Sequence, residues 1–175
     1  MNIGAFKVLL SLCGYPQTGP GAGGGAVKPT GLLAQSSVAA SITGSTVETT
    51  LASIVVPANS INANGALRIT TMWSYTNSAN AKVLKLTFGG ATFLNQPQTT
   101  TLSNQAQTII RNRGVTNSQV GFAAAAANQY SSSGASPVTA AVDTTQDQTI
   151  AITATLVNAG ETITLESYTV EVLNP

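Results

Sequence analysis

Along residues 66–75 the side chains alternate without a break. Leu67, Ile69, Thr71, Trp73 and Tyr75 fall on one face, and Arg68, Thr70, Met72 and Ser74 on the other. A period of two over ten residues predicts a half-buried strand. Residues 82–88 repeat the pattern, with Leu84, Leu86 and Phe88 together and Lys85 opposite, and Gly89-Gly90 then predicts a tight hairpin into Ala91–Leu94. Thr149–Val157 turns Ile150, Ile152, Ala154 and Leu156 one way, Asn158-Ala-Gly160 makes a turn, and Thr162–Leu173 follows. In this last segment the phase slips between Leu165 and Tyr168, so a β-bulge is expected near Glu166-Ser167. Leu51–Val56 is a further apolar strand, stopped by Pro57, and residues 58–65 read as a loop ending in Asn64-Gly65.

The middle of the chain is less regular. Gln105–Arg113, carrying Ile109, and Ser118–Phe122 read as strands, and Ser131–Ala135 as loop. Ala123–Ala127 is a run of five alanines. Alanine favours helix, but an isolated helix needs roughly 12–15 residues, so the run is read as a strand packed where only small side chains fit. No long helix and no repeat of fixed period is present. Eight to ten short strands predict an all-β fold, an antiparallel jelly-roll-like sandwich with an extended N-terminal arm.

The arm is read from a change of texture ahead of the strands. Residues 3–13, IGAFKVLLSLC, are apolar except for Lys7. They fall short of the roughly 20 residues of a membrane-spanning helix. No basic stretch precedes them and the positive charge sits inside, which argues against a secretory signal. We therefore expect an anchoring arm, residues 1–15, retained and docked on a partner. A Gly/Pro-rich linker follows at 16–31, and the β-sandwich domain at 32–175. The rival reading makes the arm one more strand of its own domain.

Composition narrows the chemistry. Charged residues are 7% of the chain, against about a quarter in ordinary domains. Thr, Ser, Asn and Gln fill 64 of the 175 positions, a surface chemistry that suits close self-association. The net charge of +1 hides an asymmetry, because Glu48 is the only acid before residue 143, while Asp143, Asp147, Glu161, Glu166 and Glu171 crowd the C-terminal end. Such segregation fits complementary subunit surfaces. It fits better acidic strands lying beside basic ones within one domain.

Histidine is absent, which removes Ser-His-Asp and Cys-His catalysis and His-ligated zinc. Cys13 is the only cysteine, so an intrachain disulfide and a CxxC site are excluded. The glycines at 19–25 do not make a phosphate loop, since Pro29 follows Lys28 where Ser or Thr must stand. Asp143 with Asp147, or Glu161, Glu166 and Glu171, are candidate glycosidase pairs. Such a cleft needs two carboxyls about 5–10 Å apart, usually walled by aromatics, which are only 5% here. The acids read instead as solvated charges. Arg111 and Arg113, with Lys82 and Lys85, are candidates for binding phosphate or an acidic sugar, but a pI near 7.9 argues against nucleic acid. Asp143-x-x-x-Asp147 lacks the further ligands of a calcium loop. No cofactor, metal or membrane span is expected.

Two stretches carry a resemblance. These are Glu48–Gly90, with ETTLA, PAN, NGALRI and TNSANAK before FGG, and Ala141–Leu173, with DQTIAIT and NAGETITLESYTVE. Together, over about 75 of 175 residues, they resemble small β-sandwich virion proteins of tailed bacteriophages, found as head decorations, head fibres or tail-fibre tips. The resemblance implies a jelly-roll-like domain, a homotrimer and a structural job in the virion, and it carries over no functional residue. The arm lies outside the shared pattern.

The expectation is thus a non-enzymatic virion structural protein, a capsid-decorating or head-fibre trimer assembled in the host cytoplasm. Its partners are copies of itself and the major capsid protein or other virion proteins. Ile3, Phe6, Val8, Leu9, Leu10 and Leu12 would anchor it, each contributing roughly 1.5–3 kcal/mol on burial before ordering costs. Ala123, Ala125 and Ala127 would line a close subunit contact. The alternative is a tail-fibre or receptor-binding module for host surface glycans, with Trp73, Tyr75 and Tyr130 as stacking platforms. Against that, Trp73 lies in phase with Leu67 and Ile69 and reads as core.

Overall fold

In β4 (Ala66–Tyr75) the alternation is realised residue by residue: Leu67, Ile69, Thr71, Trp73 and Tyr75 are buried, and Met72 opposite them is exposed. The computed structural model describes residues 30–122, 124 and 135–175. The expected arm (1–15), the linker up to Pro29, and Ala123, Ala125 and Ala127 lie outside the described residues.

β4 sits inside a seven-stranded sheet, between β11 (Thr162–Leu173) and β7 (Ser103–Asn112). β1 (Gly31–Ser36) and β2 (Ala40–Thr43) share the far side of β11, while β8 (Gln119–Gly121) and β9 (Val138–Ala140) continue beyond β7. A four-stranded sheet runs in the order β3 (Thr49–Val56), β10 (Gln148–Leu156), β5 (Lys82–Phe88), β6 (Ala91–Gln98). All pairings are antiparallel. The chain changes sheet from β2 to β3, β3 to β4, β4 to β5, β6 to β7, β9 to β10 and β10 to β11. With β1 and β2 taken as one interrupted strand, the layers are β2-β11-β4-β7 and β3-β10-β5-β6, the two-Greek-key order of a jelly roll. The hairpin β8–β9 is an insertion that widens one sheet.

The core between the sheets is built from the inward parity of each long strand. Leu84, Leu86 and Phe88 of β5 meet Ile150, Ile152, Ala154 and Leu156 of β10, and across the gap lie the inward residues of β4 with Ile163, Leu165, Val170 and Val172 of β11. Burying one such large side chain is worth about 1.5–3 kcal/mol, so these four strands supply most of the driving force. The bulge in β11 is where the phase slip places it: Leu165 pairs with Trp73 and Ser167 with Met72, leaving Glu166 unpaired. The Gly89-Gly90 turn has φ of 54° and 81°, the left-handed pair that a two-residue hairpin requires.

Several expectations need correction. The described residues hold eleven strands, not eight to ten, because β1, β2 and β9 are three to six residues long and too short to declare a period, whereas β8 falls within the strand expected at Ser118–Phe122. β1 begins at Gly31, which the sequence assigned to the linker. β6 continues past Leu94 to Gln98, through Pro97, which is tolerated on the outermost strand of its sheet. In β7 the buried parity is Ala106, Thr108, Ile110 and Asn112, so Ile109 faces outward.

Candidate functional site

The acids are not free. Arg68 Nε and Nη2 donate to Glu171 at 2.7 and 2.8 Å, and Lys85 Nζ lies 3.1 Å from Glu48, which also accepts from Thr153 at 2.7 Å. Asp143 accepts from the Thr145 hydroxyl and amide, Asp147 from the Ala58 amide at 2.7 Å, and Glu166 from the Ser74 hydroxyl. The Thr145 hydroxyl lowers the pKa of Asp143, the Thr153 hydroxyl and then Lys85 that of Glu48, and Arg68 that of Glu171. Glu161 joins Lys82 in a buried pair, taken up below. Each acid has a partner in its own fold; the reading as solvated charges holds for the exposed Glu48, Asp143 and Asp147 and is corrected for Glu161, which is 5% exposed. Glu171 beside Arg68 and Glu161 beside Lys82 bring the acidic end of the chain onto its basic strands.

Lys82 is the sharpest departure. Its side chain is fully buried, with Nζ 2.8 Å from Ser78 Oγ, 2.8 Å from the Asn80 carbonyl and 3.0 Å from Glu161 Oε2. Asn80 Nδ2 closes the cluster by donating to Glu161 Oε1 at 2.7 Å. The Ser78 hydroxyl and Asn80 amide, with Lys82, pull the Glu161 carboxyl down to about 2 against the opposing effect of burial. This cluster knits residues 76–81 to residues 157–161 at one end of the sandwich. Lys82 is thus structural and unavailable to an anion. Arg111 and Arg113 are exposed, and Lys85 is spoken for.

At the other end a polar network ties three loops. Gln119, 1% exposed, donates to Asn112 Oδ1 at 2.8 Å and to the Val142 carbonyl at 3.0 Å, and accepts from the Val142 amide at 2.8 Å. Asn112 donates onward to the Asn62 carbonyl at 2.8 Å. Among the described residues, no group of three or more Cys, Asp or Glu side chains is placed to hold a metal, and no helix is long and apolar enough to cross a membrane.

The aromatic platforms are mostly not on the surface. Trp73 is fully buried with Nε1 donating to Thr71 Oγ1 at 2.8 Å, and Tyr75 is 5% exposed. Both belong to the core, and Tyr130 lies outside the described residues. The two margins of the sandwich differ. Along one, the β8–β9 hairpin turns toward β6, Phe93 packs against Gly121, and the Ala124 carbonyl accepts the Asn95 amide at 2.8 Å. Ala124, the described residue of the alanine run, thus sits on this margin. Along the other, β1, β2 and β3 are the outermost strands, and a groove opens between Gln35–Ser37 and Ser167–Thr169. Sequence reasoning missed these groove residues. The phase slip at Glu166-Ser167 was half of the signal, and the break between β1 and β2 was the other half.

No known protein family and no curated relative matches the chain. Among solved structures it is similar to dimeric latent PorU from Porphyromonas gingivalis, at 9% identity and a TM-score of 0.39 over 90% of this chain and 14% of that one. Structures of infectious bursal disease virus, Gt and Gx strains, align at 14% and 13% identity with TM-scores of 0.24. These cover 83% and 81% of this chain and 42% and 38% of theirs. The chain thus spans less than half the length of each of these three structures.

Proposed function

We propose that this chain is a non-enzymatic structural protein of a bacteriophage virion, a homotrimer that decorates the capsid or forms a head fibre and is held by its N-terminal arm. The observation that carries the reading is the state of the carboxylates. All six acidic side chains are engaged by partners within the fold, and a chain without histidine has few other groups for acid–base work. What remains is a jelly roll with few charges on its surface, the framework that the sequence resemblance implies. The trimer contact is placed at Ala123–Ala127, because methyl-sized side chains let backbones approach closely, and closed symmetry protects faces that lack Lys, Glu and Pro.

Deleting residues 1–15 tests the anchor. Native mass spectrometry should show a soluble trimer both with and without the arm, and co-sedimentation with phage particles should be lost on deletion. A monomeric full-length chain, or undiminished occupancy of the particle after deletion, overturns the reading.

A further inference from the structure

The groove on the β1/β2 margin arises from two coincident breaks. β1 ends where Ser36 pairs with Tyr168, and β2 begins where Ala40 pairs with Leu165. Residues 37–39 therefore leave the sheet opposite the bulge that leaves Glu166 unpaired in β11. The gap is a groove of about 300 Å³ lined by Gln35, Ser36, Ser37, Ser167, Tyr168 and Thr169. That volume is at the lower end of the about 300–1,000 Å³ of small-ligand sites, room for one or two sugar rings.

Its chemistry is uniform: one amide, four aliphatic hydroxyls, one phenol and no charge. Ser36 Oγ accepts the Val38 amide at 3.1 Å. The side chains of Gln35, Ser37, Ser167, Tyr168 and Thr169 make no hydrogen bond among the described residues. A few residues along the same strands the hydroxyls pair with each other instead, Ser41 with Thr164 at 2.8 Å and Thr43 with Thr162 at 2.7 Å. Tyr168 pairs with buried Thr71 and packs its ring against the core, so the side chains of Gln35, Ser167 and Thr169 line the outer face without it. Neutral groups that both donate and accept match a polyol. A phosphate or carboxylate would find no cation there, and a metal ion no carboxylate.

We propose that this groove binds a neutral sugar residue, a hexose or N-acetylhexosamine. The site goes beyond the structural role and does not depend on it, since the groove lies on the margin opposite β6 and β9.

The test is an amide ¹H–¹⁵N titration of the full chain with glucose, galactose, N-acetylglucosamine and N-acetylgalactosamine, with glucuronate and sialic acid as charged controls. At least one neutral sugar should shift the amides of Gln35–Ser37 and Ser167–Thr169, with a Kd on the order of 1 mM, as befits a single ring. The double variant Gln35→Ala/Ser167→Ala should weaken that binding about tenfold or more with the other resonances unmoved. The proposal falls if no neutral sugar shifts these amides, if the charged sugars bind equally well, or if the double variant binds like the wild type.

Discussion

Gly121→Ala tests how tightly the β6–β9 margin is closed. Gly121 on β8 has no side chain because the Phe93 ring stands in its place. A Cβ built there would lie 2.6 Å from Phe93 Cδ1, 3.1 Å from Cε1 and 3.3 Å from the Ile109 carbonyl oxygen. The ring cannot swing away cheaply. Leu86 pairs with Leu94 and Thr87 with Thr92, so Phe93 is the extra residue of a bulge, turned inward and 2% exposed. Overpacking of this kind costs about 1–3 kcal/mol. Against it stands the reduced unfolded-state entropy of alanine, about 0.4–1 kcal/mol at a position that needs no left-handed backbone. The clash wins, and we expect a net loss of about 1–2 kcal/mol.

Urea unfolding followed by the fluorescence of Trp73, the only tryptophan and fully buried, gives the readout. Chain concentration is held fixed, because assembly would add to apparent stability. Phe93→Leu removes the ring edge, so in that background Gly121→Ala should be neutral or stabilising. The coupling energy should then be at least about 1 kcal/mol. An unchanged midpoint for Gly121→Ala alone, or the same loss in both backgrounds, would refute the reasoning.

Two further outcomes follow. The Glu161 carboxyl is held at about 2 against an ordinary 4.5, so its contribution to stability is fully present above pH 4.5 and is lost as the pH falls toward 2. Urea midpoints of the wild type should decline over that window more steeply than those of Glu161→Gln, and parallel declines would count against the buried pair. Ala125→Glu should dissociate the proposed trimer while leaving β-rich circular dichroism intact, and native mass spectrometry showing an unchanged trimer would remove the alanine run from the interface.

What was legible in the sequence tracks strand length and one-sided burial. β4, β10 and β11 run nine to twelve residues with one face in the core, so parity alone located their inward side chains, and in β11 even the bulge. Short strands gave no such signal. Lys82 shows a different limit. It shares parity with Leu84 and Leu86, which points it inward, yet an ammonium is kept out of a core unless a distant partner is waiting. That partner, Glu161, is brought near only by the pairing of β10 with β5. The groove needed two irregularities to coincide across a sheet, and strand register, not composition, decides that.

The margins also bear on how a weak site would serve an assembled particle. The trimer proposed above, if closed along the β6–β9 margin, would leave the β1/β2 margin outward and present three grooves. One neutral ring in a shallow groove binds in the millimolar range, too weakly to hold a virion to anything. Linked sites that engage one polymer together gain about 10²–10⁴ in avidity without any new contact. Wild-type trimer and the Ala125→Glu monomer should therefore bind a free monosaccharide alike, since no groove residue differs. On a surface-immobilised polymer of the same sugar the trimer should be retained at least about a hundredfold more tightly. Equal retention of the two would mean that the three grooves are not oriented to act together, even if each binds its sugar.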